Sequence, residues 1–143
     1  MTIKYLITLI FIFSPPIWAA DDLSIHTIKQ MYDLGQKSNM GTEIIKKYSD
    51  ASLKKAFDMH DKHDDLCGFD YDLMWQSQDP NYQRTLKFSK ITPNKVKVTL
   101  EKDQWDTLKT ITYILNCHDQ TCSISDIYDQ AGSVKRNILK DCN

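Results

Sequence analysis

The spacing of the apolar residues changes halfway along this chain, and that change constrains the fold more than any other feature. In the first half they recur three and four positions apart, which is the period of a helix. In the second half they alternate with polar residues, which is typical of a strand with one solvated face. Helices followed by antiparallel strands predict an α+β domain, with the helices packed on one face of the sheet.

Three short helices are predicted in the first half, each from its own apolar stripe. Ser24 is placed to cap the first helix, and residues 49–52 contain a cap for the third. The three stripes are Ile25, Ile28, Met31 and Tyr32; Ile44, Ile45 and Tyr48; and Leu53, Ala56, Phe57 and His60.

Three strands and a last helix are predicted in the second half. Residues 95–100 and 123–127 alternate between polar and apolar, and residues 108–115 are rich in β-branched side chains. Residues 118–121 form a four-residue polar loop of hairpin length between the last two strands. Ser133 is placed to cap a short C-terminal helix.

The beginning of the chain has the pattern of a cleavable export signal. Lys4 is followed by the apolar run 5–13, a break at residues 14–16 and small residues before the acidic position 21. The run is about half as long as a membrane-spanning helix requires, although an uncleaved anchor is the alternative. We expect a signal peptide over residues 1–19 and a single globular domain over 20–143, located in the periplasm or secreted. The export signal is then the only contact with a membrane.

The charge balance argues against binding to nucleic acids. Without residues 1–19 the chain keeps 17 basic and 19 acidic residues, a net charge of −2. Binding to phosphates requires a concentrated basic surface. We therefore expect no nucleic-acid partner.

All four cysteines lie in the predicted domain, and an even number after an export signal predicts disulfides. Cys117 and Cys122 flank the hairpin loop, where they can face each other across two strands, and Cys67 pairs with Cys142 by elimination. A zinc site using the first pair is the alternative. We expect no resident metal or cofactor.

An aspartate, an aromatic residue and an aspartate are followed by a Gln-Asp pair and, much later, by an Asp-Ile pair, at Asp70, Tyr71, Asp72, Gln78, Asp79, Asp126 and Ile127. In this order residues 24–142 resemble the bacterial family named domain of unknown function 3828. Its members are exported and have a nuclear-transport-factor-2-like fold, in which N-terminal helices pack on a curved, cone-shaped antiparallel sheet. The chain departs from the family in lacking a tryptophan at residues 123–124 and in having a cysteine pair at 117 and 122. The resemblance implies an architecture and a compartment but no reaction.

Two polar clusters could bind a metal. Asp70, Asp72 and Asp79 could bind a hard cation, but no calcium-hand loop follows them, and we expect them to be structural, together with Gln78 and Asp126. His60 and His63 could share a zinc ion, but their charged flanks favour a solvated helix end.

The sequence contains no nucleophile elbow, phosphate loop or catalytic triad order. We predict a non-enzymatic binding protein, an inhibitor or immunity protein of a toxic effector, by analogy with small exported proteins that protect bacteria against rivals' toxins. An exposed tryptophan, Trp75 or Trp105, would also indicate a partner interface. The candidate partner-binding residues are those of the hairpin loop, His118, Asp119, Gln120 and Thr121.

Two alternatives to protein binding remain open. One is a binder of small molecules or cell-wall fragments that uses the cone pocket. The other is a pocket enzyme that transfers protons through Tyr113, Tyr128, Asp126 and His118.

Overall fold

The computed structural model of the chain describes residues 21–63 and 67–143. The predicted signal peptide over residues 1–19 lies outside the described residues. The helices are α1 (Asp21–Ser38), α2 (Thr42–Tyr48), α3 (Ala51–Asp61) and α4 (Val134–Asp141). The strands are β1 (Leu86–Thr92), β2 (Lys95–Leu100), β3 (Lys109–His118), β4 (Thr121–Asp129) and β5 (Gly132–Ser133). The predicted α+β class and the short C-terminal helix are confirmed.

The five strands form one antiparallel sheet in which each strand pairs with the next in sequence, in the order β1-β2-β3-β4-β5. Strand β2 shows how the sequence separates the two faces of this sheet. Val96, Val98 and Leu100 are fully buried on the helical face, and Lys95 and Lys97, which alternate with the two valines, are exposed on the other. We call the second face, which carries these lysines, the outer face.

Side chains fill the space between α1 and the sheet. The rings of Tyr32, Trp75 and Tyr113 are fully buried, and Tyr32 packs edge-on against both of the others. The hydroxyl of Tyr113 donates to that of Tyr32 at 2.9 Å, and Tyr32 donates to the carbonyl oxygen of Met74 at 3.0 Å. Burial raises the pKa of both tyrosines, so both hydroxyls stay neutral and hydrogen-bonded.

Two local expectations are wrong, and one strand was not predicted. Ser24 does not cap α1, because the helix already includes Asp21 and Ser24 lies buried within it. Strand β1 was not predicted, since its alternation is interrupted by an irregularity between Lys90 and Thr92. The last hairpin has a two-residue turn rather than a four-residue loop, because the strands continue to the pair His118 and Thr121.

The structure contains both predicted disulfides, Cys67–Cys142 and Cys117–Cys122, with Cα separations of 5.4 and 4.0 Å. No described cysteine is free, so the zinc alternative for Cys117 and Cys122 is wrong. Two disulfides in a small domain indicate a non-cytoplasmic, oxidising environment. Within residues 21–63 and 67–143, no helix combines the length and the apolar character of a bilayer-spanning segment.

Candidate functional site

An open cleft of about 570 Å³ lies where α2 and the end of α3 meet the segment 69–78. Its lining contains four carboxylates and one lysine, so the cleft is acidic. Two aromatic rings and one imidazole contribute to its walls. The lining residues are Thr42, Glu43, Lys46, His60, Asp61, Phe69, Asp70, Tyr71, Asp72 and Gln78.

Asp72 is the structural centre of this cleft. Its Oδ2 accepts a hydrogen bond from the backbone N–H of Thr42 at 2.9 Å, and its Oδ1 accepts from Met74 and Trp75 at 2.9 and 3.0 Å. Burial raises the pKa of this carboxyl, and the backbone donors offset part of that effect. Gly41 leaves the necessary space, since a Cβ there would lie 2.0 Å from Asp72 Oδ2. Asp72 therefore joins the start of α2 to the turn at 72–77.

Lys46 holds the other wall of the cleft together. Its Nζ lies 2.7 Å from Glu43 Oε1 and 2.8 Å from Asp61 Oδ2. Burial alone would lower the pKa of Lys46, but its hydrogen bonds to Asp61 and Glu43 raise it. Burial would raise the pKa of Asp61, but the Lys46 ammonium lowers it. Lys46 and Asp61 are therefore charged near neutral pH, and their ion pair ties α2 to α3.

His60 is not part of a solvated helix end, and that expectation is wrong for this residue. The side chain is buried, its ring stacks on Phe69 at a centroid distance of 3.9 Å, and Nε2 lies 3.0 Å from the Phe69 carbonyl oxygen. His63 is exposed, as expected. The period of α3 turns His60 inward with Phe57, whereas the charged flanks of both histidines suggested exposure.

The remaining residues of the family pattern lie in three places. Gln78 donates to Asp70 Oδ2 at 3.0 Å inside the cleft, whereas Asp79 is exposed and is not among the lining residues. Asp126 lies on β4 and binds the start of α4, where it accepts from Ser133 Oγ at 2.6 Å and from the N–H of Lys135 at 3.2 Å. The structure therefore brings Asp70, Asp72 and Gln78 together and separates Asp79 and Asp126 from them.

Within the part of the chain that the structure describes, no three His, Cys, Asp or Glu side chains are grouped so that they could hold a metal ion. The oxygens of Asp72 already accept three backbone N–H groups, and Asp70 accepts from Gln78. The geometry gives no support to a cation site at Asp70, Asp72 and Asp79.

The four residues of the enzyme alternative do not share a pocket. Tyr113 is fully buried in the core, and Tyr128 is 42% exposed on the outer face of β4. Asp126 is bonded to the start of α4, and His118 is exposed at the hairpin turn. Proton transfer needs its acid and base within hydrogen-bonding reach of one substrate, and Tyr113 and His118 lie about 17 Å apart along β3.

The predicted partner-binding tip is exposed at all four positions, His118, Asp119, Gln120 and Thr121. The disulfide between Cys117 and Cys122 closes the hairpin directly behind it. Asp119 has a left-handed φ of 55°, a conformation that aspartate tolerates in tight turns. The tip is therefore a short polar turn on a covalently closed hairpin.

A second exposed element is the connection between β2 and β3, residues 101–108, which we call the Trp105 loop. Its tryptophan is 77% exposed, the largest exposed fraction among the large apolar side chains that the structure describes. Asp103 shapes the loop from within, because its Oδ1 accepts from the N–H groups of Trp105 and Asp106 at 2.8 and 2.7 Å. Asn81 donates to the other oxygen at 2.9 Å. These hydrogen bonds lower the pKa of Asp103, so it stays ionised.

Arg84 fastens the base of the Trp105 loop from inside the protein. Its side chain is buried, and Nη2 donates to the carbonyl oxygens of Leu100, Glu101 and Thr107 at 3.2, 2.8 and 2.7 Å. Nη1 lies 3.7 Å from Asp106 Oδ2. A guanidinium with several fixed donors suits this task, because it can join several backbone acceptors at once.

Sequence reasoning did not find Arg84 or the fixed shape of the Trp105 loop. The available signal was a tryptophan between two aspartates, in the short polar segment 102–107 that separates two strands. A segment of this composition predicts a solvated connection between strands. Its hydrogen bonds with Arg84 form only in the folded protein, so the local sequence does not indicate them.

The Trp105 loop and the hairpin tip lie at opposite ends of β3, which runs from Lys109 to His118. At about 3.4 Å per residue they are roughly 30 Å apart.

Comparison of the chain with known proteins gives no matching family model, no matching curated protein and no matching solved structure.

Proposed function

We propose that this chain is an exported, non-enzymatic protein that acts in the periplasm or outside the cell by binding another protein, with Trp105 as the anchor of the interface. The proposal depends on one observation. A tryptophan is 77% exposed on a loop whose backbone is held in place by a buried arginine and an aspartate. Tryptophan is among the residues that most often dominate the free energy of protein–protein binding.

The fixed shape of the loop is what makes Trp105 suited to binding. A flexible loop loses conformational entropy when a partner orders it, and a loop that is already ordered loses less. Burying most of an indole ring removes about 150 Å² of apolar surface from water, which corresponds to about 4 kcal/mol before the costs of association. One such anchor can therefore contribute a large part of a binding free energy.

The polar side chains of the acidic cleft already bond with other groups of the protein, which supports binding rather than catalysis as the function. In the acidic cleft, Asp72 is bonded to backbone N–H groups and Lys46 to two carboxylates. Tyr71 donates its hydroxyl to Asp129. The bonds of Asp72 with Thr42, of Lys46 with Asp61 and of Tyr71 with Asp129 each join two segments of the fold, which is a structural role.

The compartment and the family form part of the same proposal. The two disulfides and the pattern of residues 1–19 support export to the periplasm or the medium. Helices on one face of a five-stranded antiparallel sheet are compatible with the nuclear-transport-factor-2-like cone of the domain of unknown function 3828 family. We propose membership of that family from the residues named above.

For the biological role we propose an inhibitor or immunity protein that occupies a toxic effector. A small disulfide-closed domain with a rigid, exposed aromatic anchor suits the task of covering a partner's working surface. The role also predicts that the toxin gene lies next to the gene of this protein.

Capture from periplasmic extract tests the proposed function. The immobilised protein, Trp105→Ala and Leu34→Ala are compared, since Leu34 is an exposed apolar residue on α1, on the helical side of the sheet. We expect a protein that wild type and Leu34→Ala capture equally and that Trp105→Ala loses at least tenfold. A variant with alanine at residues 118–121 tests the hairpin tip. If that variant alone loses the partner, the tip rather than Trp105 is the anchor.

A second candidate function is the binding of a small cationic ligand, such as an amine-bearing cell-wall fragment, in the acidic cleft. The observation in its favour is an open volume of about 570 Å³ lined by four carboxylates and two aromatic rings. Calorimetric titration with such fragments tests it. Asp70→Asn should weaken binding and Asp79→Asn should not, because Asp70 lines the cleft and Asp79 does not. Equal affinities for the two variants would place the ligand elsewhere.

A further inference from the structure

The outer face of the sheet carries lysines and hydroxyl groups. Lys95 and Lys97 are exposed on β2 and alternate with the buried valines of that strand. Lys87 on β1 is paired with Thr99 in the register, and its side chain is 73% exposed. Directly opposite residues in an antiparallel pair share a face, so the three lysines lie on one surface.

One row of this surface crosses four strands. In the register Ser89 lies opposite Lys97, Lys97 opposite Thr112, and Thr112 opposite Tyr128. Neighbouring strands are about 4.8 Å apart, so the row is about 15 Å wide. It ends at Tyr128, an aromatic ring that is 42% exposed.

The Trp105 loop continues this surface at one end. The loop follows Leu100, the last residue of β2, and Lys87 Nζ lies 2.7 Å from Glu101 Oε1 at its start. At about 3.4 Å per residue, Lys97 lies about 10 Å and Lys95 about 17 Å along β2 from Leu100. The start of the Trp105 loop therefore adjoins the end of the surface that carries the lysines.

The positive charge of this surface is local. The whole chain has a formal net charge of −1. Lys87 is paired with Glu101, whereas neither Lys95 nor Lys97 forms an ion pair with any residue of 21–63 or 67–143. An exposed lysine pays no desolvation free energy in the free protein. It can form a new ion pair when an acidic side chain of a partner lies next to it.

We infer that the outer face around Lys95 and Lys97, together with Trp105, is the docking surface for an acidic face of a partner protein that has an apolar pocket for the indole ring. This inference rests on the proposed function and specifies the partner class for the same site. Two unpaired lysines are too few for the concentrated charge that a nucleic acid needs. Proteins that bind a lipid surface usually do so through amphipathic helices or acyl chains. A tryptophan on a loop whose base is held by Arg84 suits a pocket of fixed shape in a partner protein.

The test uses the protein purified after export of the full-length chain, so that both disulfides are formed. Five forms are immobilised: wild type, Trp105→Ala, the pair Lys95→Glu with Lys97→Glu, a milder glutamine pair at the same two positions, and the control pair Lys54→Glu with Lys55→Glu. The control makes the same charge change at exposed positions of α3, on the helical side. Each immobilised form is incubated with periplasmic extract and, in a separate experiment, with vesicles of phosphatidylglycerol. A milder pair, Lys95→Gln with Lys97→Gln, excludes misfolding as the cause of a loss.

We expect one protein whose capture requires Trp105. Reversal of the charges at Lys95 and Lys97 should lower the amount of captured protein at least tenfold. The glutamine pair should give an intermediate loss, and the α3 control pair should change the captured amount less than twofold. Capture should also fall as salt rises from about 50 to about 300 mM, because salt screens exposed charges. Wild type should not retain the vesicles.

Three results would overturn the inference. If capture requires Trp105 but not Lys95 and Lys97, the acidic partner face is wrong and the proposed function stands. If the lysines instead retain vesicles and no protein is captured, the surface binds lipid. If no captured protein depends on Trp105, the proposed function itself fails and the inference fails with it.

Discussion

The Nη2 atom of Arg84 donates a hydrogen bond to the carbonyl oxygen of Thr107 at 2.7 Å, across the base of the Trp105 loop. The same atom reaches Leu100 and Glu101 on the other side of the base. One side chain therefore closes the loop, and the presentation of Trp105 depends on it.

Replacement of Arg84 should loosen this loop. In Arg84→Met the carbonyl oxygens at the loop base lose their buried donor, so we expect a loss of about 3 kcal/mol in the free energy of unfolding. Amides of residues 101–108 should exchange with solvent much faster. Urea denaturation and hydrogen exchange measure both effects. Arg136→Met is the matched control, since Arg136 is the other arginine of the chain and is exposed. Equal exchange in the two variants would show that Arg84 does not hold the loop.

The two disulfides should contribute unequally to stability. Cys67–Cys142 closes a loop with a sequence separation of 75, and Cys117–Cys122 closes one with a separation of 5. The chain-entropy model therefore gives a stabilisation of about 4 kcal/mol for the first disulfide and about 2 kcal/mol for the second. Each pair is replaced by serines, and the free energy of unfolding is measured in urea. A larger loss from the hairpin pair would contradict this order. Non-reducing peptide mapping checks the pairing, and a Cys67–Cys117 peptide would show that it is wrong.

The sequence was sufficient to predict features that depend on local pattern. The helix positions, the strands β2 to β4 and the caps by Ser133 and by residues 49–52 depend on period and on side chains near in sequence. The predicted structural role of Asp72 agrees with its three backbone hydrogen bonds.

The features that the sequence did not predict arise from long-range contacts. The donors of Arg84 find their acceptors 16 to 23 positions away, and the burial of His60 depends on Phe69 beyond the end of α3. The acidic cleft also combines three segments, so no local pattern marks it.

Removal of the Asp72 carboxylate should destabilise the start of α2. Asp72→Ala leaves three backbone N–H groups without their acceptor, so we expect a loss of about 2 kcal/mol and a lower melting temperature. Millimolar calcium should not raise the melting temperature of wild type. Asp79→Ala, at an exposed position, serves as the control and should change little. A rise of several degrees with calcium in wild type would instead favour a cation site.

The raised pKa of Asp72 predicts a pH dependence of stability with a definite sign. Burial raises its pKa in the folded protein above the unfolded value of about 3.9. The folded state then binds this proton more tightly, so the free energy of unfolding falls as pH rises from about 4 through the folded pKa. Wild type is compared with Asp72→Asn at several pH values, which cancels the other titrating groups. Wild type should lose stability relative to the variant with rising pH. A gain would mean that the folded pKa is lowered.

Site-specific photo-crosslinking tests the central claim most directly, because it reports contacts made at position 105 in the intact compartment. A photoreactive phenylalanine derivative is placed at residue 105 and, as the control, at Leu34, an exposed apolar residue of α1 on the helical side of the sheet. We expect one defined protein adduct from position 105, weakened by Arg84→Met, and no such adduct from position 34. If position 105 gives no protein adduct, or the same adducts as position 34, Trp105 is not the anchor of a partner interface.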